Sequence, residues 1–367
     1  MVEQNLFNNI YKNKVVLVTG HTGFKGSWLV FWLTQLGAKV IGYSQEAPTK
    51  PNHIGLLNFE IASVIGDIRD RDKLNKTFEN YKPDIVFHLA AQPIVRYSYD
   101  NPIETYETNV IGTLNVFEAS KKYSVKAIVN ITSDKAYQNQ EWDKGYKEDD
   151  PLGGYDPYSS SKGCADLLAN SYRNSYFNPN EYKKTHNTLL ASCRAGNVIG
   201  GGDWAKDRLL SDIMIAVSRG KKVSIRNPGA TRPWQHVLEP LSGYLMIGQK
   251  LLQEKIEFGE AWNFGPSDEG SISVHEVVKN VKKHWDKIEY ELDKDNKHPH
   301  EANLLKLDCS KASINLDWRD VWGSDTTFEK TVNWYKAFYE EKKVLTEFNL
   351  NEYIDNATSK ELPWTKI

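Results

Sequence analysis

A chain of 367 residues, 40% of them hydrophobic, can bury one large core or two smaller ones, which excludes a disordered or fibrous protein. A formal charge of −2 gives no general attraction to nucleic acid or to an acidic membrane surface. No apolar run reaches the length of a membrane span, and Met1 to Lys14 is polar, without the apolar core of a signal peptide.

The first strong element is Val15 to Thr19, a short β-branched run ending at Gly20, which reads as a buried strand. A helix is expected over Ser27 to Leu36, closed by Gly37, and a second strand over Lys39 to Tyr43. Further strands are expected at Ser63 to Ile65, Ile85 to Leu89, Ala127 to Ile131 and Thr188 to Arg194, with helices between them at Asp70 to Tyr81, Thr105 to Tyr123 and Tyr158 to Tyr176. Strand and helix in alternation imply a parallel sheet covered on both faces, an α/β fold of the Rossmann-type doubly wound kind. After about Gly196 the regularity weakens. Gly200 to Gly202 read as a loop, Arg208 to Ser218 and Ile272 to Trp285 as helices, and the polar run Lys287 to Glu301 as a surface loop. The expected division is a cofactor domain over residues 1–195, to which 234–264 returns, and a smaller C-terminal substrate-binding lobe over the rest of 196–367.

Gly20-His21-Thr22-Gly23-Phe24-Lys25-Gly26 joins the first strand to the first helix. Glycines there allow a tight turn and close approach of a pyrophosphate to backbone N–H groups, and the helix N-terminus adds partial positive charge. Gly66-Asp67-Ile68 follows the third strand, where a carboxylate can accept a hydrogen bond from an adenine amino group or cap the next helix. His88-Leu89-Ala90-Ala91-Gln92 ends the fourth, where small residues let a backbone pass close to a cofactor. The order and placement of these three segments point to a dinucleotide. The second strand ends Gly42-Tyr43-Ser44-Gln45, without the acid that often holds the ribose hydroxyls of NAD and without an arginine pair for a 2′-phosphate. NAD is the expected cofactor.

Tyr158 and Lys162 stand four apart, on one face of a helix. A free tyrosine titrates near 10 and is a poor base at neutral pH, whereas a neighbouring ammonium and a positive nicotinamide favour the phenolate. Such a pair also occurs on solvated helices; what singles this one out is its place after a complete cofactor cradle. Thr132-Ser133-Asp134-Lys135 follows the strand Ala127 to Ile131, at the sheet edge where ligands bind in this architecture. Ser133 is placed to hydrogen-bond a hydroxyl being oxidised. Asp134 and Lys135 add an acid and a base, more than a simple alcohol dehydrogenase needs. Cys164, Cys193 and Cys309 are odd in number and far apart, so neither a disulfide framework nor a zinc site is expected, and a reducing cytoplasm is the natural compartment. His298 and His300 lack a metal-binding pattern and read as surface residues.

Gly20 to Gly26, Asp67, Ala90-Ala91, Ser133 and Tyr158-xxx-Lys162 together resemble the extended short-chain dehydrogenase/reductases. Within them, Ser133-Asp134-Lys135 resembles the Ser/Thr-Asp-Glu motif of the sugar 4,6-dehydratases, with Lys for the usual Glu, as in the branch acting on CDP-glucose. Gly20 to Trp28, Tyr155 to Tyr158, Arg194 to Trp204 and Arg232 to Val237 extend the likeness over nearly the whole chain. The resemblance implies oxidation at C4 of a nucleotide sugar with Tyr158 as base, loss of the C5 proton and of the C6 hydroxyl, and reduction at C6. Asp134 would be the acid for the leaving hydroxyl, and Lys135 either the base at C5 or a stabiliser of the enolate, since a solvated lysine stays protonated. Candidate substrate contacts are Gln92 and, by resemblance, Asn197, Arg208 and Arg232. The helices Thr105 to Tyr123 and Tyr158 to Tyr176 resemble the pair that builds a four-helix dimer interface in this superfamily, which implies a homodimer or dimer of dimers.

Two other classes share parts of this pattern. A sugar 4-epimerase or reductase needs the cofactor site, Ser133, Tyr158 and Lys162 but not the Asp134-Lys135 pair. A non-catalytic dinucleotide sensor needs only the cradle. The nucleotide itself, whether CDP, dTDP, GDP or UDP, is not set by these residues.

Overall fold

The computed structural model describes residues 5–267, 271–293 and 304–366. The apolar runs become strands β1 (Val15–Thr19), β2 (Lys39–Ser44), β3 (Ala62–Ile65), β4 (Ile85–His88), β5 (Ala127–Ile131) and β6 (Leu189–Ala195). The other strands are short: β7 (Asn197–Ile199), β8 (Val223–Ile225), β9 (Thr231–His236), β10 (Ala261–Phe264), β11 (Ser271–Ser273) and β12 (Tyr290–Leu292). Seven strands form one sheet in the order β3-β2-β1-β4-β5-β6-β10, with every neighbouring pair parallel. Strand order reverses beside β1, between β2 and β4, and a crevice opens there at the carboxyl ends, as in other doubly wound folds.

Alternation along each strand feeds two helical layers. Val16, Val18, Phe87 and Val129 face one side, where they pack with Trp28 and Trp32 of helix Phe24–Gln35 and with Leu241, Tyr244 and Leu245 of helix Leu238–Leu252. Leu17, Val86 and Ile128 face the other, against Leu74 and Phe78 of helix Arg71–Tyr81, Val116 and Phe117 of helix Thr113–Lys122, and Ala169 and Tyr172 of helix Pro157–Ser175. Helix Phe24–Gln35 is buried without interruption from Gly26 to Leu33, as expected of a helix apolar all round.

Local sequence differs from the expected boundaries in instructive places. The first helix starts at Phe24 rather than Ser27, because the glycine turn ends at Gly23 and the chain is already helical through Lys25 and Gly26. Asp70, not Asp67, caps the next helix, accepting from Lys73 N at 3.0 Å. The helix expected over Thr105 to Tyr123 runs Pro102–Tyr106, then with wider π winding through Glu107–Gly112, then Thr113–Lys122. The one expected at Ile272 begins at Val274, after β11 has paired with β9 and Ser273 has closed a capping box with Glu276. Within the polar run expected as a loop, Tyr290–Leu292 is a strand paired in parallel with β8. Residues 294–301 of that run, His298 and His300 among them, lie outside the described residues.

Beyond β6 the chain builds β7-β9-β11 and β8-β12, with helices Leu209–Ser218, Val274–His284, Ser310–Leu316, Ser324–Lys336 and Thr346–Ser359. Glu239 ties this part to the sheet-covering helix Leu238–Leu252. Its carboxyl accepts from Val321 N (2.9 Å), Trp322 N (2.8 Å) and the Tyr353 hydroxyl (2.8 Å). Among the described residues no helix is long and apolar enough to cross a membrane, and no group of three or more His, Cys, Asp or Glu is gathered as a metal site.

Candidate active site

One cleft of about 970 Å3 lies at the carboxyl ends of the strands. All the residues singled out in the sequence line it: Gly20, Thr22 to Gly26, Asp67, Ile68, Leu89 to Gln92, Ser133 to Lys135, Tyr158, Lys162, Asn197, Arg208 and Arg232. They come from eight separate stretches of chain, so their convergence is a product of the fold.

At the cofactor end, the turn after β1 needs glycine twice. Gly20 sits at φ +76°, and a Cβ there would lie 2.8 Å from Ala90 N; at Gly26 it would lie 2.1 Å from Gly20 O. The cradle is therefore a space that any side chain would fill, bordered by the first-turn N–H groups of helix Phe24–Gln35, which have no acceptor in their own helix. A dinucleotide diphosphate fits that donor set. Thr19 fastens the facing wall: its Oγ1 accepts from Leu89 N and Ala90 N (both 3.2 Å) and pairs with His88 Nδ1 at 2.7 Å. Asp67 is held by a two-pronged ion pair to Arg69, closest at 2.6 Å, and accepts from Gln45 Nε2 at 2.7 Å. At the end of β2, the Thr22 and Ser44 hydroxyls pair at 2.7 Å, and Thr22 also donates to Gln45 O. Ser44 and Gln45 thus line the place where the sequence has no acid.

At the chemical end, Asp156 caps helix Pro157–Ser175, accepting from Ser159 N at 2.9 Å, with Pro157 in the first turn. Tyr158 and Lys162 follow on one face, both buried. Burial pushes the Tyr158 phenol up to about 12, with Asp134 and Asp156 adding to the rise and the Ser133 hydroxyl and Arg208 guanidinium pulling the other way. Burial lowers the Lys162 ammonium to about 8, against an opposing pull from Asp166. Its Nζ lies 3.5 Å from Ile131 O. Ser133 donates to Asp134 Oδ1 at 2.9 Å. Burial raises the Asp134 carboxyl, with Lys135 and Arg232 opposing, and its Oδ2 is buried without a hydrogen-bond partner. Lys135 is half-buried, in the short turn Asp134–Ala136.

The substrate candidates differ in how far they are committed to the protein. Gln92 donates to Ile94 O (3.1 Å) and Thr105 Oγ1 (2.9 Å) and accepts from Ile94 N (2.5 Å), so its amide holds its own loop. Arg208 pairs with Asp203 at 2.7 Å, and Arg232 Nη1 donates to Thr231 O at 2.9 Å. Asn197 opens β7 on the cleft wall. Sequence reasoning passed over the network beneath the site. Thr132 Oγ1 donates to Asp166 Oδ2 at 2.7 Å, and the same oxygen receives Arg194 Nε at 3.0 Å. Three positions 28 or more residues apart carry no local signal of such a contact.

The sequence profile of the GDP-mannose 4,6 dehydratase family matches residues 17–332. The chain belongs to this family. Among curated members, it is 52% identical to a CDP-glucose 4,6-dehydratase of Salmonella typhimurium, over 95% of this chain and 99% of that one. The dehydratase fold is shared with solved structures. A Thermus thermophilus UDP-glucose 4-epimerase in complex with NAD superposes with a TM-score of 0.75 at 22% identity, covering 88% of this chain and 99% of that one. A dTDP-glucose 4,6-dehydratase of Bacillus anthracis in complex with NAD gives 0.72 at 24% identity, covering 90% and 98%.

Proposed function

We propose that this 4,6-dehydratase converts CDP-glucose to CDP-4-keto-6-deoxyglucose and water, with NAD as a resident cofactor that is not consumed. The observation that carries this reading is that one cleft holds the oxidising pair Tyr158–Lys162 and the acid–base pair Asp134–Lys135 together. The identity to a CDP-glucose 4,6-dehydratase supports the nucleotide. Residues 1–195 and 234–264 serve the cofactor, and the rest of 196–367 mainly the nucleotide sugar.

Bound NAD supplies the oxidation at C4 and the matching reduction at C6, and its positive ring favours the Tyr158 phenolate. Tyr158 takes the proton of the C4 hydroxyl, which Ser133 holds by a hydrogen bond, and Lys162 supports the phenolate and the cofactor ribose. The C4 ketone then acidifies the C5 proton, which passes to Lys135 as base, or to another group of the cleft while the Lys135 ammonium stabilises the enolate, and a proton returns to C5 when C6 is reduced. Asp134 gives its proton to the C6 hydroxyl, which departs as water; burial raises this carboxyl, the direction a proton donor needs. Arg208, Arg232 and Asn197 hold the nucleotide diphosphate and ribose, arginine being suited to phosphate by its forked donors. Preference for NAD over NADP is supported by the charges at the cofactor end. Between residues 44 and 68 the cleft wall includes Glu46 and Asp67, the latter neutralised by its ion pair with Arg69, and neither Lys nor Arg, so this stretch of wall offers no cation of its own to a 2′-phosphate.

A homodimer or dimer of dimers is supported by the apolar side chains exposed along residues 95–122 and on helix Pro157–Ser175, among them Tyr97, Ile103, Ile111 and Leu167. The reducing compartment fits three free cysteines. The reading is tested by incubating the protein with CDP-, dTDP-, GDP- and UDP-glucose and identifying products by mass and NMR. The expected result is loss of one water from CDP-glucose alone, without net consumption of added NAD. A product of unchanged mass, inverted at C4, would establish the epimerase instead.

A further inference from the structure

Arg208 enters the cleft at the end of a loop, residues 200–207, that contains no helix or strand. Such a loop places a side chain only as well as its neighbours hold it. Here the neighbours come from the far end of the chain. The Tyr335 hydroxyl, on helix Ser324–Lys336, accepts from Asp203 N at 2.8 Å and donates to Asp203 O at 2.6 Å. One residue, 132 positions away, thus engages the hydroxyl both as donor and as acceptor. The Asp203 carboxylate passes the constraint on: Oδ1 accepts from Ala205 N at 3.1 Å, and Oδ2 from Arg208 Nη1 at 2.7 Å. Next in the loop, Trp204 Nε1 donates to the Tyr339 hydroxyl at 2.8 Å, and its ring packs edge-on against Trp334 and Tyr335. Among the described residues the Arg208 guanidinium makes no hydrogen bond besides the one from Nη1. Its Nε–Nη2 edge, the fork that grips a phosphate with two parallel bonds, stays open.

We propose that Tyr335 and Asp203 are positioning residues for Arg208: the hydroxyl fixes the Asp203 backbone, and the carboxylate aims the guanidinium so that its open edge meets the substrate diphosphate. The inference rests on Arg208 holding that diphosphate, as in the reading given above. An arginine that grips an anion loses rotamer freedom, and Asp203 takes that loss in the folded protein before substrate arrives. The carboxylate also competes with the diphosphate for the same cation. It engages one of the three guanidinium nitrogens and leaves the paired edge free, so orientation outweighs competition. Tyr335 lines the cleft too, but the single proton of its hydroxyl is already given to Asp203 O. It acts on substrate through Asp203 and Arg208.

The test is calorimetric titration of CDP into the full chain with NAD present, alongside steady-state turnover of CDP-glucose. The variants are Tyr335→Phe, Asp203→Asn, Arg208→Met, and each of the first two combined with Arg208→Met. Tyr335→Phe keeps the ring and its packing and loses the hydroxyl. It should weaken CDP binding about 3- to 10-fold and raise KM for CDP-glucose by a similar factor, with kcat changed by less than about twofold. Asp203→Asn keeps the shape and loses the charge, and should weaken CDP binding roughly 10- to 30-fold. NAD affinity should be unchanged in both. With Arg208→Met already in place, each substitution should weaken CDP binding by less than about twofold, because the group it positions is gone. A general loosening of the loop, or a direct contact of Tyr335 with substrate, would carry its full penalty into that background, and this result would overturn the proposal. So would wild-type CDP affinity in Tyr335→Phe. Should one of the two single variants melt below the titration temperature, the other decides by the same cycle. Wild-type CDP affinity in Arg208→Met would instead remove Arg208 from the diphosphate, and this inference with it.

Discussion

Arg194→Met should be among the most damaging single changes in this protein although Arg194 touches no ligand site directly. Arg194 projects from β6 onto Asp166, one turn beyond Lys162 on the catalytic helix, and both side chains are almost fully buried, at 4% and 1% exposure. Its Nε donates to Asp166 Oδ2 at 3.0 Å, and its Nη1 to the Tyr137 hydroxyl at 2.7 Å and to Glu148 O at 3.0 Å. The guanidinium also lies over the Tyr137 ring, 4.8 Å from its centre. Methionine replaces the volume but leaves a buried carboxylate with the Thr132 hydroxyl as its remaining donor. Breaking one side of a buried pair costs about 3–5 kcal/mol, a fifth or more of the roughly 5–15 kcal/mol that holds a typical fold together. Urea unfolding followed by far-UV circular dichroism measures it. The double variant Arg194→Met/Asp166→Leu should recover at least about half of the loss, because no charge is then left unpaired. A single variant costing under about 1 kcal/mol, or a double variant costing as much as the single, would refute the argument that uncompensated charge is what destabilises.

Tyr158→Phe should abolish turnover of CDP-glucose while leaving NAD affinity within about threefold by fluorescence titration, since only the base at C4 is lost; turnover near wild type would remove that assignment. Gly26→Ala should weaken NAD binding by an order of magnitude or more, because its Cβ falls 2.1 Å from Gly20 O and the turn must open; unchanged affinity would mean that the cradle does not hold the diphosphate. Asp134→Asn and Lys135→Met should each lower turnover by about 10²–10⁴-fold yet still oxidise C4, so rapid mixing should show nicotinamide absorbance that forms and persists. Loss of that signal in Asp134→Asn would move Asp134 out of the elimination step.

The parts legible in the sequence are those whose physics is local. β1 and β5 match their expected limits because both are apolar runs buried on two faces and closed by a change of composition at their ends. Helix Phe24–Gln35 was expected three residues late because its first turn contains Gly26, and the apolar stripe begins only after it. Strands β7, β8, β11 and β12 have three residues each, too few for a period, and exist only through partners distant in the chain. The site divides the same way. Motifs name residues that line the cleft, whereas the Thr132–Asp166–Arg194 network is visible only once three-dimensional neighbours are known. Ser44 and Gln45 carry no signal of a binding role in their residue types, and only the fold puts them on the cleft wall.

The charges around Tyr158 alter the simplest account of its activation. A lysine four residues away suggests that Lys162 makes the phenol acidic, yet in the folded chain the Ser133 hydroxyl and the Arg208 guanidinium also pull that phenol down, against burial and the carboxylates Asp134 and Asp156. Lys162 is itself lowered to about 8 and faces Ile131 O. Arg208 would then act twice, on the substrate diphosphate and on the base, and the two roles separate kinetically. Removing a cation raises a phenol's pKa, so the acid limb of the kcat–pH profile, where turnover is lost as the phenolate is protonated, should move to higher pH in Arg208→Met, by about one unit. KM for CDP-glucose should rise as well, through the lost phosphate contact. Lys162→Met should move that limb less than Arg208→Met does. If Arg208→Met raised KM and left the limb in place, Arg208 would be a phosphate contact alone, and the phenolate would owe its stability to Lys162 and the oxidised cofactor.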